Sequence, residues 1–149
     1  MVDKEQVYLA CLRRVEEMIQ TAQHSLNQAE EAAQSEIKSS AGDKFETGRA
    51  MMHAEMHKAK RHMGEAKTLL MDLKSMKLKS NYETVEKGSY IITDTAHYFI
   101  CVGLGKIKTE NASCFAISPA SPIAKAMIGK AVNEDFHFND KRFTIASIH

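Results

Sequence analysis

YLACLRRVEEMIQTAQHSLNQAEEAA, residues 8–33, places an apolar or small side chain at Tyr8, Leu12, Val15, Ile19, Ala22, Leu26, Ala29 and Ala33, alternating steps of four and three without a miss. Steps averaging about 3.5 residues keep returning to one side of an α-helix and draw a seam along it. The stretch MHAEMHKAKRHMGEAKTLLMDL, residues 52–73, repeats the alternation at Met52, Met56, Ala59, Met63, Ala66, Leu70 and Leu73 and contains no proline. Two such helices have one economical solution, which is to lie side by side and bury the seams against each other.

Between them stands Ser39-Ser40-Ala41-Gly42-Asp43, a cluster of turn-forming residues, and this is the expected reversal point of an antiparallel pair. Residues 1–79 then form a coiled-coil hairpin with its tip near 39–46. Helices over 4–38 and 46–77 would each run about 50 Å at the usual rise per residue. The first seam passes from Tyr, Leu, Val and Ile to mostly Ala toward the turn, so the backbones are expected to approach closely there. The methionines of the second helix sit on its seam and read as core filler.

Past Lys77 the heptad is lost, and from Gly88 onward β-branched and aromatic residues gather in short runs. A second domain is expected over 83–149, with strands at Ser89–Thr93, Tyr98–Val102, Ser113–Ile117, Asp135–Phe138 and Arg142–Ile148. Asn139-Asp140 offers a tight hairpin turn between the last two. Ser121 as N-cap, Pro122 at the first helical position and Gly129 just past the end frame one short helix over Ile123–Ile128. The fold class is therefore α+β: a helical hairpin followed by a small β-rich domain.

Lys plus Arg number 20 against 19 Asp plus Glu, so net charge exerts no pull toward nucleic acid or membrane. The three cysteines, Cys11, Cys101 and Cys114, lack the paired spacing of a zinc site or disulfide framework, and a reducing compartment is expected. The sequence holds no apolar run near the roughly 20 residues that span a bilayer, and we expect a cytoplasmic, monomeric protein with no membrane partner.

The stretch Ile117-Ser118-Pro119-Ala120-Ser121-Pro122-Ile123-Ala124-Lys125-Ala126-Met127-Ile128-Gly129-Lys130 closely resembles the signature of the C-terminal domain of bacterial Gre-type transcription elongation factors. Val85-Glu86-Lys87-Gly88-Ser89 and Phe143-Thr144-Ile145-Ala146-Ser147-Ile148 look like that domain's first and last strands, and Gly42-Asp43-Lys44-Phe45-Glu46 is similar to the family's hairpin tip. The resemblance covers most of the chain. It implies an antiparallel coiled coil joined to an FKBP-like domain, the fold of FK506-binding prolyl isomerases. It also implies RNA polymerase as partner, with Ser118, Pro119, Ser121 and Pro122 in the surface that holds the polymerase.

In such factors the coiled coil enters the polymerase's secondary channel, where the tip acids help hold a magnesium ion shared with the polymerase's own aspartates. Those roles fall on Asp43 and Glu46, with the 3′ end of the nascent RNA within reach. The chain would then be no enzyme itself but an activator of the polymerase's cleavage of backtracked RNA. Two carboxylates are too few to hold magnesium alone, since that ion wants six oxygen ligands, so the isolated protein is expected to bind none. After Glu46 the family continues Asn-Ala-Glu-Tyr or close to it, whereas this chain has Thr47-Gly48-Arg49-Ala50, and Ala124 replaces a usual glycine.

Other readings of the same residues stand beside this one. Asp43 and Glu46 also have the spacing of a capping box, which needs no ligand. The altered residues after the tip suit a regulator that occupies the channel without stimulating cleavage. A prolyl isomerase or chaperone is the alternative of another class, but it would need an aromatic-lined cleft, and the chain has no tryptophan. His53, His57, Lys58, Lys60, Arg61 and His62 form a basic stretch that reads as a solvated helix face or as a local patch for a polyanion. Ser118 and Ser121 have no His and Asp at a recognisable triad spacing.

Overall fold

A computed structural model of the chain describes residues 2–39 and 43–149, with side chains throughout except at 36–47. Two long helices lead, α1 over Lys4–Ser39 and α2 over Asp43–Ser75. Asp3 caps the first of them: its carboxylate accepts the backbone N–H of Gln6 at 3.2 Å, satisfying a donor that the helix itself leaves open. Lys74 lies in the last turn of α2, where a cation suits the negative end of the helix dipole.

The chain forms two compact units, which cut across the helices: residues 15–70 are one, and residues 1–14 together with 71–149 are the other. In the first unit the seams are borne out position by position. From residue 16 to 35 of α1 only Ile19, Ala22, Leu26, Ala29 and Ala33 are shielded from solvent, and from 49 to 68 of α2 only Met52, Met56, Ala59, Met63 and Ala66 are. Ala22, Ala29, Ala59 and Ala66 are the buried members of these stripes. Small residues at the centre allow close approach of two backbones, and the larger Ile, Leu and Met beside them contribute the apolar area, about 25 cal/mol per Å² removed from water.

The second unit is built on a six-stranded sheet in the order β3-β4-β2-β1-β6-β5. Its strands are β1 at Tyr90–Thr93, β2 at His97–Ile100, β3 at Gly105–Lys108, β4 at Ser113–Ile117, β5 at Asp135–Phe138 and β6 at Lys141–Ile148, with the short helix α3 at Pro122–Met127 between β4 and β5. The β2–β4 pairing is parallel and the others are antiparallel. Asn139 and Asp140, at φ of 50° and 61°, make the β5–β6 turn. Positive φ at both central residues is the backbone whose twist matches a hairpin.

Alternation along the strands gives the sheet two buried faces. On one, Val85, Ile91, Tyr98, Ile100, Phe136 and Ile145 pack with Ala124 and Met127 of α3. On the other lie Tyr90, Phe99, Cys114 and Ala116, all buried. Val7 and Cys11 in the opening turns of α1 are buried as well, and Cys11 lies near Cys101, which follows β2. The end of α2 joins them: the Tyr8 hydroxyl donates to the Leu73 carbonyl at 2.9 Å. Burial of Val7 and Cys11, one place off the seam, follows from this second contact.

Several boundaries differ from the sequence reading. The strand β3 was not anticipated. Its residues Gly-Lys-Ile-Lys leave only Ile107 buried, as suits an edge strand whose lysines deter further pairing. The Val85–Ser89 stretch, expected as the domain's first strand, is a turn instead. Ser89 N–H donates to the Glu86 carbonyl at 3.1 Å, while Val85 bonds Lys130 and Gly129 across the unit at 2.8 and 2.9 Å. Gly88 makes that turn at φ 95°. Helix α2 stops at Ser75 rather than 77, its end tightened by a bond from Met76 N–H to the Leu73 carbonyl at 3.2 Å.

Candidate functional site

The expected tip lies mostly outside the described residues. Helix α1 ends at Ser39 and α2 begins at Asp43, and the expected turn residues Ser40, Ala41 and Gly42 lie outside the described residues. The backbones of Asp43 and Glu46 belong to the first turn of α2, three positions earlier than the sequence reading started that helix. Their side chains lie outside the described residues. An acid in a helix's first turn is stabilised there by the positive end of the dipole, whatever else it does.

Ser118, Pro119, Ser121 and Pro122 are brought together in one turn that links β4 to α3. The Ser121 N–H donates to the Ser118 carbonyl at 3.0 Å, closing the turn. The Ser121 hydroxyl donates to the same carbonyl at 2.8 Å and accepts the Ala124 N–H at 3.3 Å, so it is engaged on both sides as the N-cap of α3. Ser118 Oγ accepts the Ala120 N–H at 3.0 Å. Neither serine is set up as a nucleophile, and both hold backbone. Ala120 and Pro122 are exposed, and beyond α3 the large apolar residues Ile128 and Val132 are exposed too, at 41% and 42%. The result is a turn closed by its own hydrogen bonds, with Ala120 and Pro122 exposed on it.

These residues belong to the unit of residues 1–14 and 71–149, whereas Asp43 and Glu46 belong to the unit of residues 15–70. His53, His57, Lys58, Lys60, Arg61 and His62 are all exposed, off the seam of α2, and Arg61 stands 3.9 Å from Glu65 one turn on. A cavity of about 460 Å³ is lined by Asp3, Gln6, Arg13, Thr109, Glu110 and Asn111, a polar set with no aromatic among them. Among the described residues no group of three or more His, Cys, Asp or Glu is arranged to hold a metal ion. None of the described helices is long and apolar enough to cross a membrane.

One constellation escaped the sequence reading. Cys11, Cys101 and Cys114 converge on the sheet face under α1, all buried and none in a disulfide. The Tyr90 hydroxyl extends the group, standing 2.9 Å from Nδ1 of His97, and burial pushes its pKa upward. Burial likewise pushes the Cys114 thiol up to about 12. A faint signal existed: Val7 and Cys11 add a second apolar stripe beside Tyr8 and Leu12, and that widening marks a helix covered on two sides.

No family model matches the chain, and no curated protein matches it. Among solved structures the chain is similar to one described as the structure of the transcription factor Gfh1, at 18% identity and a TM-score of 0.40, with 94% of each chain covered.

Proposed function

We propose that this chain acts on RNA polymerase as a Gre-type factor, docking through the Ser118–Pro122 turn and presenting Asp43 and Glu46 from the start of α2 to the polymerase's catalytic centre. The observation that carries the reading is the run Ile117 to Lys130, whose sequence resembles the Gre signature over its whole length. Supporting it, the two serines of that run lock the turn from inside, while Ala120, Pro122, Ile128 and Val132 remain available to a partner. Two seamed helices, with Asp43 and Glu46 in the first turn of the second, supply the expected carrier for the acids.

The chemistry assigned to the acids is that of hard oxygen donors. Asp43 and Glu46 offer carboxylates, which suit magnesium, but two of them leave most of an octahedral shell to be filled by the polymerase and water. A shared ion there would stabilise the oxygens of an in-line attack on the RNA phosphodiester. The role of this chain is to bring the carboxylates and hold them by packing at the seam. The polymerase remains the nuclease.

The test is a stalled, backtracked elongation complex with magnesium and purified full-length chain, read on a sequencing gel. The expected result is shortened RNA, lost in Asp43→Asn and Glu46→Gln while polymerase binding is retained. Cleavage that persists in both variants refutes the role of the acids, and absence of polymerase binding refutes the reading altogether. A second reading is favoured by Thr47-Gly48-Arg49-Ala50 in place of the family's usual residues: a channel-binding regulator that does not stimulate cleavage. It requires that the wild-type chain bind polymerase, leave the RNA uncut and compete with a true cleavage factor.

A further inference from the structure

At the β3–β4 edge the sheet is covered on one face and open on the other. Ile107, Cys114 and Ala116 are buried, whereas Lys106, Lys108, Ser113 and Phe115, which alternate with them along the two strands, are all exposed. The antiparallel register sets Lys106 opposite Phe115 and Lys108 opposite Ser113, and directly opposed residues project from the same face. The parallel β2–β4 pairing extends the row from Phe115 to Tyr98, whose ring centroid lies 6.0 Å from that of Phe115 at a tilt of 32°. Tyr98 belongs to the core that packs with α3, so that core ends at its ring, and Phe115 stands beyond it at 41% exposure.

One exposed ring and two cations therefore share a flat, open surface. Lys106 and Lys108 are two residues apart on a strand, about 7 Å, and so can meet successive charges along a chain. Neither is in an ion pair with a described residue. An acidic peptide would match the lysines and leave the ring without a flat partner, and a nucleic-acid duplex keeps its bases stacked inside. An unpaired strand supplies both halves of the match, phosphates for the cations and a base with a π-face for the ring.

We propose that this open face of β3 and β4 binds single-stranded RNA, with one base stacked on Phe115 and two successive phosphates held by Lys106 and Lys108. Tyr98 backs the Phe115 ring and limits its swing, so stacking orders little that is not ordered already. The exposed Ser113 hydroxyl, opposite Lys108, is a donor and acceptor suited to a ribose 2′-OH, the group that sets RNA apart from DNA. Glu110, in the turn after β3, ends the cationic stretch, which keeps the site to one base and two phosphates. The proposal does not rest on the polymerase reading, and its test uses no polymerase.

The full chain is titrated into a fluorescent oligouridine of about eight nucleotides, with binding read by anisotropy over a range of salt. Affinity should fall about tenfold in F115A and in F115L, which keeps apolar bulk without a ring, and should be retained in F115W. In K106Q/K108Q the slope of log affinity against log salt should become shallower by about 1.4, the share of two phosphates on a single strand. DNA of matching sequence should bind more weakly, with the difference removed in S113A. Circular dichroism checks that each variant folds, and should F115A fail to fold, F115W and K106Q/K108Q still decide. Ultraviolet crosslinking and peptide mapping should place the adduct within residues 105–117. No binding by the wild type, unchanged affinity in F115L, an unchanged salt slope in K106Q/K108Q, or a crosslink confined to the basic stretch of α2 overturns the proposal. DNA bound as tightly as RNA overturns the choice of RNA.

Discussion

Replacing Gly88 by alanine probes how the segment after α2 is fastened to the sheet. Gly88 has φ 95°, and a β-carbon there would stand 2.7 Å from the Tyr82 hydroxyl, with Leu78 Cδ2 and the Lys77 carbonyl both at 3.7 Å. That hydroxyl accepts the Lys79 N–H at 3.0 Å, and the Tyr82 ring carries the Lys4 ammonium 4.2 Å from its centroid. Two costs follow. Holding an L-residue in the left-handed region costs about 1–2 kcal/mol, and displacing the hydroxyl forfeits a hydrogen bond of about 1 kcal/mol. Their sum is about 2–3 kcal/mol, which for a chain of 149 residues lowers Tm by about 4–12 °C.

Gly129 is the internal control, because it has φ 87° and nothing within 4 Å of its would-be β-carbon. G129A should therefore cost only the backbone part, about 1–2 kcal/mol. A double-mutant cycle separates the rest. Y82F alone should cost about 1 kcal/mol through the lost bond to Lys79, but in the G88A background it should be almost silent, since that bond is already gone. The assay is thermal and denaturant unfolding followed by circular dichroism on the wild type, G88A, Y82F, the double variant and G129A. Equal losses in G88A and G129A, or strictly additive effects of Y82F and G88A, would refute the steric account.

Ser121→Ala removes both the acceptor for the Ala124 N–H and the donor to the Ser118 carbonyl, and should destabilise the protein by about 1 kcal/mol, with Ser121→Thr close to wild type in the same unfolding assay. Asp135 gives a pH prediction. Its carboxylate accepts from Thr144 Oγ1 and from Arg142, and these bonds hold its pKa below the ordinary 3.8. A pKa depressed by folding contributes stability that is complete above the unfolded value and is lost as pH falls through the folded one. Asp135→Asn should therefore lower stability at neutral pH and flatten the loss of stability below about pH 4 in acid titrations of Tm. A variant with the wild-type acid slope would show that the bonds do not matter to folding.

The helical seams were legible in the sequence because burial there is dictated by periodicity alone: from residue 16 to 35 each shielded position is one that the alternation names. The capped helix α3 and the Asn139-Asp140 turn were equally legible, since local side-chain chemistry fixes both. The strand β3 was not, because an edge strand buries one residue and shows no apolar run. Nor was the turn at 85–89, where apolar Val85 and Ser89 look strand-like but their burial comes from contacts across the unit. The cysteine cluster was hidden for a different reason. Nothing local to Cys11 announces that a helix on a hairpin seam also rests on a sheet some 90 residues away in sequence, a pairing set by long-range packing. The tip acids were named from sequence and remain outside the described side chains.

The unit that contains the sheet joins segments far apart in the chain, residues 1–14 and 71–149, with Tyr90 exchanging backbone bonds with His149 at 2.8 Å in each direction. During synthesis the helices of residues 15–70 can pair as soon as they leave the ribosome, while the first turns of α1 wait uncovered for partners not yet made. The sheet closes only once β6 and His149 have been made and can reach β1. Nascent chains arrested before that point should expose the Val7 and Cys11 stripe to chaperones, whereas the paired helices should already resist protease.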